Sequence, residues 1–178
     1  RGLTICRDKA LSKKLLAYHR IHVPAFAVFH MNRVVKRSKR LKFPLLVKFL
    51  DAHQDLSVQV HPDDEKGRRL ANDNGKTETW VIVHAEPGSL IYSGLRPGIG
   101  RDEFARALET GEVEPLLHRF EARSGDCILI PAGTVHAIGA GVVLVEIQQM
   151  SDATFRVHDW GRVGDDGKPR ALHIAEAL

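Results

Sequence analysis

Leu56-Ser57-Val58-Gln59-Val60-His61, with Pro62 behind it, alternates strictly. In a strand, Leu56, Val58 and Val60 share one face while Ser57, Gln59 and His61 share the other. One face is apolar. The other offers an amide oxygen and an imidazole nitrogen two residues apart, aimed at a common point, which is how a sheet supplies half of a metal site. An ordinary half-buried strand ending at a turn explains these residues equally well on their own, so the rest of the chain has to decide.

The surroundings are those of one globular domain. The chain has 178 residues, enough for a real core, with ordinary apolar and charged fractions. Its apolar runs are far short of the roughly 20 residues that cross a bilayer, so no membrane partner is expected. Two cysteines, Cys6 and Cys127, make no disulfide framework and point to a reducing, cytoplasmic setting. The chain opens on Arg1 rather than Met, so a fragment is expected, and a targeting segment ahead of it stays open. The net charge of +4 hides an asymmetry: residues 1–48 hold 13 Lys/Arg against Asp8 alone, and residues 49–178 hold 13 against 21 Asp/Glu. The basic run Arg33, Lys36, Arg37, Lys39, Arg40 and Lys42 has few interleaved aromatics and no nucleic-acid motif, so a solvated loop is expected and no nucleic-acid partner is expected.

Toward the amino terminus, Asp8 can cap a helix over 9–19, with Leu11, Leu15 and Tyr18 on one face. A strand over 26–31, the basic loop and Phe43-Pro44-Leu45-Leu46-Val47-Lys48 follow. In this order the elements of residues 1–48 resemble a fragment of the ATP-grasp ligases, although no further ATP-grasp element follows. Beyond residue 43 the chain breaks into short strands, expected at 45–50, 56–61, 78–84, 89–93, 117–121, 127–130, 134–138, 142–148 and 154–158. Such a series indicates a mainly β antiparallel sandwich or barrel. One helix interrupts it over 102–110, with Asp102 and Glu103 in its first turn and Gly111 as its stop, and it is expected as a surface insertion. The expected organisation is a basic helix-strand segment over 1–42 and a catalytic domain over 43–178.

Gly125-Asp126 before an apolar run, then Pro131, Gly133 and His136, has the spacing of the second cupin motif. A cupin's first motif carries two histidines and a glutamate; here Gln59 stands in the first His position, followed by His61 and, after a turn-rich insertion with Pro62, Asp63, Asp64 and Gly75, by Glu78. Gln59-Val60-His61-Pro62-Asp63-Asp64-Glu65, Lys76-Thr77-Glu78-Thr79-Trp80, Thr134-Val135-His136-Ala137 and Ser151-Asp152-Ala153-Thr154-Phe155-Arg156, in that order, resemble the type I mannose-6-phosphate isomerases, in particular their short bacterial branch. The resemblance covers about residues 43–178 and implies a cupin double-stranded β-helix, a jelly-roll barrel.

Carried over residue by residue, it implies one zinc ion on Gln59, His61, Glu78 and His136. Two imidazoles, a carboxylate and an amide oxygen suit such an ion and leave it about one net positive charge. It further implies Lys76, Glu146 and Arg156 as catalytic residues, with Ser57 and Lys48 toward the sugar phosphate. His53, His84, His118, His158 and His173 match no ligand position and are expected as structural or surface residues. The implied reaction interconverts mannose 6-phosphate and fructose 6-phosphate through an enediol. It needs a base, an electrophile and a cationic phosphate clamp. Lys76 and Glu146 both remain open as the base.

Other outcomes stay open: a non-catalytic metal-binding cupin that holds a sugar or sugar phosphate, and an inactive fragment or fusion. The carboxyl end is expected to be cut relative to the family and the amino end to be replaced, so metal binding is expected to be robust and turnover weak. The sequence gives no oligomeric state.

Overall fold

The computed structural model describes residues 28–30, 33–36, 45–164 and 167–178. The helix expected over 9–19 lies outside them. In chain order the strands are β1 (Val28–His30), β2 (Arg33–Lys36), β3 (Leu45–Ala52), β4 (Val58–Val60), β5 (Glu78–Ala85), β6 (Leu90–Leu95), β7 (Leu117–Glu121), β8 (Cys127–Ile130), β9 (His136–Ile138), β10 (Val142–Gln149) and β11 (Phe155–His158). Helices are α1 (Asp64–Ala71), α2 (Arg101–Thr110) and α3 (Ile174–Ala177), with a 3-10 turn at Glu114–Leu116.

Two antiparallel sheets face each other, ordered β3-β10-β5-β8 and β11-β4-β9-β6-β7, and β1 pairs with β2 as a separate ribbon. This is the mainly β antiparallel architecture that the string of short strands predicts, and the jelly roll that the family resemblance implies. The long central strand β10, Val-Val-Leu-Val-Glu-Ile-Gln-Gln, is β-branched at four of its positions and pairs along its whole length with β3. Between the sheets lies an apolar core built from Trp80, Ile82, Ile91, Ile130, Ile138, Val142 and Leu144. The turn Pro131–Thr134 closes with the Thr134 amide donating to Pro131 O, and Gly133 takes φ 82° there, a conformation that favours glycine. Its own amide donates to His61 O, tying the second motif to the first.

Two expectations need correction, and a third is refined. The start of the basic run is not a loop, because Arg33–Lys36 forms β2, in which the adjacent Val34 and Val35 favour extended backbone; residues 37–42 lie outside the described residues. The insertion after His61 is not only turns. Asp63 caps α1 by accepting from the Lys66 amide, Asp64 and Glu65 occupy its first turn, and left-handed Asn72 ends it. Finally, α2 lies on the surface as expected but is tied down: Phe104 and Leu108 are buried in a second core with Val58, Val60, Tyr92, Leu117 and Val157. The apolar face of β4 therefore packs outward, beneath α2, which leaves the face of Ser57, Gln59 and His61 for the barrel interior.

Candidate metal and substrate site

Strand register assembles the site in rows. On the five-stranded sheet Arg156 pairs with Gln59, Gln59 with His136, and His136 with Ser93. Directly paired residues share a sheet face, so Arg156, Gln59 and His136 form one row across β11, β4 and β9. On the facing sheet, Lys48 pairs with Glu146 and Glu146 with Trp80, while Leu46 pairs with Gln148 and Gln148 with Glu78. The interior is apolar at one end, around Leu144 and Ile82, and becomes polar at the other. The insertion carrying α1 closes on itself beside this polar end, with the Lys76 amide donating to Pro62 O at 2.9 Å and the Gly75 amide to Asp64 Oδ1 at 2.9 Å. Residues 61 and 76–78 are thereby brought together across an excursion of fourteen residues in the chain.

His61, Glu78 and His136 converge, with one ligand atom from each lying within 4.8 Å of the others, all buried. Each imidazole is oriented from behind. His61 Nδ1 lies 3.1 Å from Ala153 O and His136 Nδ1 lies 2.8 Å from Thr134 O. A carbonyl only accepts, so each Nδ1 carries the proton and each Nε2 presents a lone pair. Neither Nε2 has a hydrogen-bond partner among the described residues. Yet His61 Nε2 stands 3.1 Å from Glu78 Oε1, and His136 Nε2 stands 4.0 Å from Oε2. Lone pairs facing a carboxylate in a buried space repel unless a cation lies among them. Protonating the rings is costly here: burial, helped by the Lys76 charge, holds His61 down to about 3. Burial, then the neighbouring His61, brings His136 down to about 4. A divalent cation relieves both conflicts at once, so these residues fit a metal ion such as zinc.

Gln59 stands on the His136 row two residues before His61, and Ser57 is buried two residues earlier on that face. Trp80, not among the expected site residues, donates its indole N–H to Glu78 Oε2 at 3.1 Å and fixes the carboxylate. Lys76 is buried and donates to Thr154 Oγ1 at 2.8 Å; burial lowers its pKa, with Glu78 opposing. Glu146 is also buried, and burial followed by the Glu78 charge raises its pKa. Lys48 sits 3.1 Å from Glu146 Oε1 and donates to Gln148 Oε1 at 2.5 Å. Gln148 was likewise missed, although its place two residues after Glu146 puts it on the same strand face. Arg156 donates through Nη1 to Ala171 O at 3.1 Å, and its Nε has no hydrogen-bond partner among the described residues. His173, expected as structural or surface, proves to touch Arg156. Among the described residues no helix is long and apolar enough to cross a membrane.

Residues 17–79 match the family described as phosphomannose isomerase type I, catalytic domain. That match begins inside the segment resembling ATP-grasp ligases, and no comparison supports the ATP-grasp resemblance. The mannose-6-phosphate isomerase ManA of Bacillus subtilis is 44% identical over 138 residues, 77% of this chain and 44% of that protein. The mannose-6-phosphate isomerase of Streptococcus mutans is 41% identical over 141 residues, 79% of this chain and 44% of that protein. A crystal structure of mannose 6-phosphate isomerase from Bacillus subtilis superposes with a TM-score of 0.72 at 40% identity, over 76% of this chain and 43% of that one. The chain thus spans less than half the length of these relatives. Over the part that it spans, this chain is a relative of the type I mannose-6-phosphate isomerases, in sequence and in fold.

Proposed function

We propose that this chain carries the metal and substrate site of an aldose-ketose isomerase that interconverts mannose 6-phosphate and fructose 6-phosphate. The observation that supports it best is the pair of buried imidazoles, each with Nδ1 engaged and Nε2 unpartnered, facing Glu78 within reach of one ion. Gln59, His61, Glu78 and His136 would hold one zinc ion, which when bound supplies a Lewis acid beside a sugar oxygen.

The chain's own groups account for the rest. Shuttling a proton between C1 and C2 through an enediol needs a base with a pKa drawn toward neutrality. Lys76 and Glu146 are both buried and shifted in that sense, the lysine down and the carboxyl up. Arg156, whose Nε donor has no partner among the described residues, can bind the phosphate or the enediolate through its planar fork. Lys48 adds positive charge while held by Glu146 and Gln148, and Ser57 offers a hydroxyl from the buried face. In this reading residues 43–178 act as the catalytic unit, with residues 1–42 as a separate basic segment. A cytoplasmic setting fits the free, exposed Cys127.

Metal analysis of the purified chain, paired with a coupled assay for fructose 6-phosphate formation, tests the proposal. One equivalent of zinc together with weak but measurable turnover is expected. Full zinc without turnover would leave a metal-binding, sugar-binding cupin in its place, and absence of both would overturn the site.

A further inference from the structure

The segment after β11 turns back on itself through a strained corner. Trp160 and Gly161 have φ of 55° and 71°, and the Arg162 amide donates to Asp159 O at 3.0 Å. A left-handed conformation costs a tryptophan about 1–2 kcal/mol, so the corner must be held from outside. Trp160 Nε1 donates to Leu56 O at 2.8 Å, and Arg162 Nη1 to Asp55 O at 2.6 Å. Asp159, buried at the corner, receives Arg170 as a fork, through Nε to Oδ2 at 2.7 Å and Nη2 to Oδ1 at 2.5 Å.

This corner returns residues 170–173 alongside β11, the edge strand of its sheet, whose outer side faces no other strand among the described residues. There the His173 amide donates to Arg156 O at 2.7 Å, and the Arg156 amide donates to His173 Nδ1 at 3.2 Å. Ala171 O takes one edge of the Arg156 guanidinium, and Nε has no partner among the described residues. Backbone and side chain of Arg156 are thus both fixed by residues that follow the corner, and Arg170 anchors that segment to Asp159.

We propose that Arg170 and His173 are positioning residues for Arg156, the first by clamping the returning segment to Asp159 and the second by pairing with the Arg156 backbone on the open sheet edge. For its catalytic consequence this rests on the isomerase proposal, in which Arg156 meets the sugar phosphate. A guanidinium displaced by about 1 Å can lose a hundredfold in rate.

The test compares the full chain with its Arg170→Ala, His173→Ala and His173→Asn variants, and combines Arg170→Ala with Arg156→Ala. Readouts are kcat and KM for mannose 6-phosphate, zinc content, and the Nε–H resonance of Arg156 in nitrogen-15-labelled protein, assigned by its loss in Arg156→Ala. Expected are an about tenfold to hundredfold loss of kcat in Arg170→Ala and His173→Ala, unchanged zinc, and faster exchange of the Arg156 resonance. The asparagine at 173, which keeps an acceptor for the Arg156 amide, should restore part of the rate. In the Arg156→Ala background, Arg170→Ala should cause no further loss, because both act through one group. Multiplying losses in that double variant, or an unchanged resonance in both alanine variants, would overturn the positioning role. If the parent chain holds zinc but shows no turnover, the isomerase proposal fails while the resonance still decides whether Arg170 and His173 hold Arg156.

Discussion

His61 and His136 each have one ring nitrogen tied to a backbone carbonyl and the other left bare opposite Glu78. Removing both rings leaves a carboxylate and an amide, too few donors for tight zinc binding, so the double variant His61→Ala, His136→Ala should lose stoichiometric zinc by elemental analysis. Retention of a full equivalent would place the ion elsewhere. Arg156 lies outside that donor set, with Nε unengaged. Arg156→Ala should therefore keep its zinc while losing roughly 3 kcal/mol of transition-state stabilisation, the order seen for one oxyanion donor, measured as a fall in kcat/KM. Kinetics matching the parent chain would make Arg156 structural.

At the level of elements, α2 contributes stability. Phe104 is only 6% exposed against Val58 and Val60, so Phe104→Ala should cost about 3–5 kcal/mol in denaturant unfolding. A cost below 1 kcal/mol would mean that α2 adds nothing to the core beneath it. The corner at Asp159 sets a pH dependence. Burial raises its carboxyl pKa, but hydrogen bonds from Arg170 and Arg162 outweigh it and hold the group below the ordinary value of 3.8. The folded state therefore favours the charged form, and this contribution is full well above pH 3.8 and drains away as the pH falls below it. In Asp159→Asn, thermal stability should show a weaker acid-side decline than in the parent chain; identical acid profiles would remove Asp159 from the account. The strands were legible because Val142 to Gln149 and Leu56 to His61 alternate or branch at Cβ, which local sterics reward. Asp63 and Asn72 could have announced α1, yet its eight residues include one large apolar side chain, Leu70, and so show no helical stripe. The outward burial of Val58 and Val60 was illegible for another reason: alternation tells which residues share a face, not which face the helix covers. His173 could not be read either, since its role arises from a corner that folds it back seventeen residues onto Arg156.

On the scale of the whole molecule, the barrel interior divides its labour along its axis. Leu144 and Ile82 sit at the apolar end, Glu146 and Glu78 at the polar end of the same sheet. Leu144→Ala should thus cost about 2–5 kcal/mol in unfolding while zinc content holds. Glu146→Gln should leave the unfolding free energy unchanged or raise it, because burial and the Glu78 charge outweigh the half-exposed Lys48 in disfavouring its ionised form, while turnover falls. A Glu146→Gln variant as unstable as Leu144→Ala would contradict that division. The pairing of Arg156 with Gln59 and of Gln59 with His136 has one more consequence. Strands stand about 4.8 Å apart and advance about 3.4 Å per residue, so the spacing of these three groups comes in fixed increments. Drift cannot slide one of them by half an ångström; it can exchange a side chain at a rung, or shift a strand by a whole step and turn its entire set to the other face. The barrel works as a ruler with coarse graduations, and a different substrate would have to be met by changing what stands on the marks.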